Sequence, residues 1–121
     1  MKVQFSIDMP NNEISQYSFN KVYSQSWHWT DRKEVANYIH KLVYYTMVKR
    51  NIPLILFKKP VKVILSYNSK LDCDNHSLLS KLIVDGLKGH LIKNDTRKYV
   101  VEVDQKFWNG EGILVEIEEI E

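Results

Sequence analysis

One strand-turn-helix passage between Val61 and Gly89 constrains this chain more than any other feature. Val61-Lys62-Val63-Ile64-Leu65-Ser66-Tyr67 is dense in β-branched and aromatic side chains, which suit a pleated surface. Asn68, Ser69 and Lys70 end it with turn-forming and polar types. From about Asn75 to Lys88, Leu78, Leu79, Leu82, Ile83 and Leu87 recur at helical spacing. Gly89 stands where a helix C-terminus calls for left-handed backbone. A strand that feeds an amphipathic helix predicts a sheet with a helix packed across it.

The joint between the two is Asp72-Cys73-Asp74-Asn75. If residues 72 to 74 stay extended, both Asp side chains project to one side, their Cα atoms about 6.5 Å apart. Two carboxylates facing one way repel each other unless a cation lies between them. Oxygen donors of this kind suit Mg²⁺, which takes one or two carboxylates, keeps several waters and fills the rest of its sphere from phosphate. The alternative is that Asp74 or Asn75 serves as the helix N-cap. Along the helix, Asp74, Lys81, Asp85 and Lys88 fall on one side of the cylinder. Lys81 and Asp85 have the spacing of a surface ion pair, while beside a metal an ammonium group can instead hold a phosphate. Asp95 is the next acid after Gly89. A helix of about 13 residues carries the chain roughly 20 Å away, and six extended residues recover at most about 21 Å. Asp95 therefore rejoins the pair only along a taut path, or a partner subunit supplies the third carboxylate.

With these residues in view, the chain resembles the RusA family of Holliday junction resolvases. The resemblance rests on Asp72-x-Asp74-Asn75, then Lys81-x-x-x-Asp85-Gly86-Leu87, then Gly89-x-Leu91-x-x-Asn94-Asp95, an ordered series over 24 residues followed by a β-rich tail. Upstream it extends into Asn20-Lys21-Val22-Tyr23 and the Trp27-His28-Trp29 to Arg32-Lys33 segment. It implies that Asp72, Asp74 and Asp95 are the metal-binding catalytic carboxylates and Lys81 the essential basic residue. Two departures stand out. The stretch between Asn75 and Lys81 is about three residues longer than in the founding member, and Asn94 replaces an Asp of many members.

The expected element order is strand 2 to 8, helix 31 to 50, strand 61 to 67, helix 75 to 88, strand 97 to 106 and strand 112 to 119. Asn109-Gly110 marks a hairpin turn, and Pro10 to Ser26 is a long irregular loop. That is an α/β (α+β) fold: a mixed sheet of about four strands with two main helices, in one domain over 1–121. Val35, Ile39, Leu42, Val43 and Met47 make the first long helix scaffold. Trp27, His28 and Trp29, just before it, either stack on unpaired bases or enter the core. No apolar run approaches the length of a membrane helix. Met1 leads into a strand-like segment rather than a signal peptide, and the lone Cys73 has no disulfide partner, so a reducing cytoplasm is the expected setting. Without CxxC or paired His at ligand spacing, Cys73 points to packing rather than zinc, and His76 is the one histidine placed to neighbour a metal.

Charge divides unevenly. Residues 1–115 hold 17 Lys and Arg against 11 acids, a net of +6, because Glu116, Glu118, Glu119 and Glu121 gather at the end. Lys58, Lys59 and Lys62 form one basic cluster. Lys70, Lys81, Lys88, Lys93, Arg97 and Lys98 flank the carboxylates as candidate DNA contacts, since cations there neutralise backbone phosphates. The expectation is a Mg²⁺-dependent endodeoxyribonuclease, with Mn²⁺ as substitute, that resolves four-way junctions by paired nicks from a homodimer. The competing expectations are a non-catalytic junction-binding protein of the same fold and a metal-binding regulatory module.

Overall fold

The computed structural model describes residues 1–23 and 29–120. Trp27 and His28 lie outside them. Four strands, β1 (Lys2–Ile7), β2 (Val61–Tyr67), β3 (Val100–Phe107) and β4 (Ile113–Glu119), form a sheet in the order β1-β4-β2-β3. Two long helices, α3 (Trp29–Lys49) and α4 (Ser77–Leu87), accompany two single-turn helices, α1 (Asn11–Ile14) and α2 (Phe19–Val22). The mixed sheet with two main helices is thus the architecture the pattern predicts.

Period-two alternation decides which face of the sheet is dry. Phe5 and Ile7 of β1, Ile113, Val115 and Ile117 of β4, and Val61, Val63, Leu65 and Tyr67 of β2 are all buried on one face. Phe5 faces Val115 across β1-β4, and Val63 faces Ile117 across β2-β4. Onto this layer α3 packs Val35, Ile39, Val43 and Met47, and α4 packs Leu78, Leu79, Leu82, Ile83 and Leu87. Each such side chain contributes about 1.5–3 kcal/mol when fully buried. The two helices approach closely because position 86 carries no side chain; a Cβ built there would lie 3.0 Å from Val43 Cβ. The other face is polar, with Lys2 Nζ 3.2 Å from Glu116 and Lys62 Nζ 3.0 Å from Glu102 and 3.2 Å from Asp104. Lys62 is therefore a cross-strand ion-pair partner, apart from Lys58 and Lys59.

Three local expectations change. Asn109-Gly110 is not a hairpin turn: β3 runs parallel to β2 at the sheet edge, and β4 pairs antiparallel with both β1 and β2. The reason is burial. Ile113, Val115 and Ile117 are fully covered and claim a central position, whereas Val101, Val103 and Phe107 remain exposed and suit an edge. Residues 108–112 consequently pass over the end of β2, where Asn68 Nδ2 donates to the Gly110 carbonyl. Strand β3 starts at Val100 rather than 97, because the N–H groups of Tyr99 and Val100 both turn back to the Thr96 carbonyl. The stretch from Asn11 to Val22 is not irregular either, while residues 24–26 of the expected loop lie outside the described residues. It holds α1, a 3-10 turn at Ser15–Tyr17 and α2, and Ile14 and Val22 enter the core.

Candidate functional site along helix α4

Past β2 the chain does not stay extended through the two acids. Asp72 is extended, with φ −62° and ψ 153°, but Cys73–His76 coils into a 3-10 turn, so Asp72 and Asp74 do not project as alternate residues of a strand. His76 imposes the turn. Its ring is 1% exposed and stacks on Tyr67 at 4.1 Å between centroids and 6° between planes. A carbonyl can only accept, so Nδ1–H donates to Cys73 O at 3.2 Å, and Nε2 must then accept from Ser69 Oγ at 2.7 Å. Burial lowers the imidazole pKa, in keeping with this neutral ring. With both nitrogens engaged and the ring buried, His76 anchors the turn and offers no free nitrogen as a direct ligand.

The anchored turn presents Asp72 and Asp74 to solvent at the start of α4. Neither the Asp72 position nor the residue before α4 makes a side-chain capping bond, so the N-cap alternative is not realised. Among the described residues neither carboxylate has an ion-pair partner. Cys73 points the other way, half-buried. Trp108 N–H donates to Tyr67 O, which sets the even-numbered residues of β3 toward β2 and the odd ones outward. The outward carbonyl of Gln105 accepts from Cys73 Sγ at 3.3 Å. This contact covers part of a sheet edge that would otherwise stand open.

Further along α4 the acids are compensated. Asp85 receives Lys81 Nζ at 3.2 Å and Lys88 Nζ at 3.3 Å, and Lys88 also reaches Asp95 at 3.2 Å. The Lys88 hydrogen bond is the chief reason the Asp95 carboxyl titrates below its ordinary value. Asp95 therefore joins Asp85, not Asp72 and Asp74. Among the described residues no three His, Cys, Asp or Glu side chains come together closely enough to hold a metal ion. The expected three-carboxylate cluster is not formed within one chain. Chain length explains why. After α4 the N–H groups of Leu91 and Ile92 fold back to the Leu87 carbonyl, and Gly89, at φ +82°, donates to Ile92 O. Residues 88–92 spend their reach on a tight turn, and three residues are too few to return along the helix.

A groove of about 400 Å³ runs between α4 and β3, lined by Ser77, Ser80, Lys81, Asp85 and Asp95 on one side and by Val100–Val103 and Gln105 on the other. At its floor Tyr67 Oη donates to Ser80 Oγ at 2.7 Å, and Ser80 donates onward to Gln105 Oε1 at 3.1 Å. Motif reading passes over this relay because Ser80 and Gln105 are 25 residues apart. Of the candidate DNA contacts, Lys70, Lys93, Arg97 and Lys98 are exposed, and Lys98 lies 5.5 Å from the Tyr99 ring centre. Lys88 is already held between two carboxylates.

The chemistry of the donors separates the two ends. Asp72 and Asp74 are hard oxygen donors without an ion-pair partner among the described residues, and they lie at a helix N-terminus whose dipole favours negative charge. They fit a hydrated Mg²⁺ held through one or two carboxylates. Asp85 and Asp95 are neutralised by lysines. A scan against protein-family models and a search of curated proteins give no match to this chain.

Proposed function

We propose that this protein is a Mg²⁺-dependent endonuclease of branched DNA, a four-way junction by its resemblance to the RusA family, working in the cytoplasm as a homodimer. One observation carries the reading. Asp72 and Asp74, two exposed carboxylates without an ion-pair partner among the described residues, lie on the turn just before Ser77, and from Ser77 a groove runs over Lys81 to Asp85 and Asp95. Asp72 and Asp74 would hold the ion, which when bound supplies Lewis acidity and a water of lowered pKa; Mn²⁺ has suitable chemistry too. Lys81, 68% exposed at its side chain, swings from Asp85 to a non-bridging phosphate oxygen and offsets charge that builds there. Buried His76 keeps the turn fixed, so the two acids meet the phosphate without reordering. Two-fold symmetry of a dimer matches the two equivalent strands of a junction.

A second reading, a non-catalytic junction-binding protein, is favoured by one observation: Asp95 is tied to Lys88 and Asp85 and does not join the Asp72 turn. Incubating the protein with a labelled four-way junction and with linear duplex, each in Mg²⁺ and in chelator, separates the two. Nicks confined to the junction and to Mg²⁺ support the nuclease. Binding indifferent to metal and without nicks supports the second reading, and absence of salt-sensitive DNA binding overturns both.

A further inference from the structure

Gln105 of the edge strand β3 touches both parts of the site. Its backbone carbonyl accepts from Cys73 Sγ at 3.3 Å, which places it beside the turn that carries Asp72 and Asp74. Its side chain lines the groove, across from Ser77 and Lys81 of α4.

The buried relay beneath the groove decides which end of the Gln105 amide faces outward. Tyr67 is fully buried, and among the described residues its hydroxyl meets one partner, Ser80 Oγ, at 2.7 Å. A buried O–H left unpaired is costly, so the phenol proton goes to Ser80. Ser80 has a single proton of its own, and it goes to Gln105 Oε1 at 3.1 Å. With Oε1 held in this way, Nε2 points away from the relay. Among the described residues Nε2 has no hydrogen-bond partner, and it is not a buried atom. Gln105 therefore offers the groove two fixed N–H donors.

We propose that Gln105 Nε2 is a substrate-binding donor for a non-bridging oxygen of the DNA backbone, facing Lys81 across the groove. A base edge fits less well, because reading an adenine takes the amide oxygen together with the nitrogen, and Ser80 occupies that oxygen. A phosphate oxygen only accepts, which matches a group that only donates. Val101 and Val103, 46% and 43% exposed, line the same groove and give the adjoining sugar an apolar shelf. Tyr67 and Ser80 act through Gln105, as positioning residues. The donor rests on the nucleic-acid reading above and adds a residue of β3 to it.

The test is anisotropy binding, in chelator, of fluorescent four-way junctions that each carry one methylphosphonate, stepped through the phosphates around the branch. A methylphosphonate replaces one non-bridging oxygen by a methyl group and removes the charge. The proteins are the native chain, Gln105→Leu and Gln105→Glu; the last keeps an acceptor for Ser80 and loses the donors. Gln105→Leu is expected to bind the unmodified junction about tenfold more weakly, the worth of one hydrogen bond to a charged group. At one phosphate, or two neighbours, the methylphosphonate costs the native chain that same factor beyond its cost to Gln105→Leu. In Gln105→Glu the sign reverses there: the neutral linkage binds better than the phosphate, because a carboxylate now faces it. If the native chain and Gln105→Leu lose equally at every position, or if Gln105→Glu shows no reversal at any, the donor is rejected while the nucleic-acid reading stands. A native chain that does not bind the unmodified junction at low salt overturns both. Circular dichroism of each variant verifies the fold, and Gln105→Glu decides alone should Gln105→Leu fail to fold.

Discussion

Asp95 Oδ2 lies 3.2 Å from Lys88 Nζ, and the same ammonium stands 3.3 Å from Asp85, so one lysine bridges two carboxylates of the acidic groove. Removing the bridge as Lys88→Met leaves two acids facing each other. The Asp95 carboxyl is held below its ordinary value, first by its hydrogen bond from Lys88. A group of this kind adds stability above its unfolded pKa and loses it as pH falls through the lower folded value. Lys88→Met is thus expected to melt a few degrees below the native chain at pH 7, with the gap closing as pH drops below about 3.8. The side chains are about one-third exposed, so the effect is on the order of 1 kcal/mol or less. Melting curves from pH 7 to pH 3 measure it; a gap that is constant with pH contradicts the ionic bridge.

Ser80 sits beneath that groove as the acceptor for a buried phenol. Ser80→Ala removes the partner of Tyr67 Oη, on a residue with 0% exposure. Stranding a buried hydroxyl costs about 1–3 kcal/mol. The midpoint of urea unfolding is expected to fall accordingly. Tyr67→Phe in the Ser80→Ala background should recover part of the loss, since no donor is then left unpaired. If the double variant is no more stable than the single, the relay is not the cause.

How much of this was legible beforehand follows from the range of the interactions. The strand at 61–67, the apolar stripe of α4 and the Gly89 terminus were readable, because period-two and helical spacing are local signals. The ion pair from Lys81 to Asp85 was also one of the two roles its spacing allowed. Strand order was not readable. Nothing near Asn109 tells that β4 pairs with β1, whose partner residues lie more than 100 positions away. The His76 anchor likewise depends on a ring stacked across a turn, and the place of Asp95 depends on how tightly residues 88–92 coil. Each is a tertiary preference overriding a local one.

Contact between α3 and α4 makes a prediction of its own. A Cβ at position 86 meets Val43 at 3.0 Å, closer than side chains normally pack. Gly86→Leu must push the helices apart or leave its rotamer, at about 1–3 kcal/mol. A fall in Tm of about 5 °C or more is expected by calorimetry. Native-like melting would mean that the helices do not cross at this point.

Metal linkage discriminates among the acids. Among the described residues Asp72 and Asp74 have no ion-pair partner, so a bound divalent ion would supply the countercharge they lack, whereas Asp95 already has Lys88. An ion at ten times its Kd stabilises the fold by about 1.4 kcal/mol, or about 5 °C. The native chain is expected to gain about that in millimolar Mg²⁺ or Mn²⁺. Asp74→Asn should lose both the gain and junction cleavage while it still binds DNA. Asp95→Asn should keep the thermal gain, because its carboxylate stands with Asp85 and not with the turn. If Asp95→Asn abolishes the gain as fully as Asp74→Asn does, the three acids meet after all, across a dimer interface. Magnesium-dependent cutting by Asp74→Asn would remove that residue from the chemistry altogether.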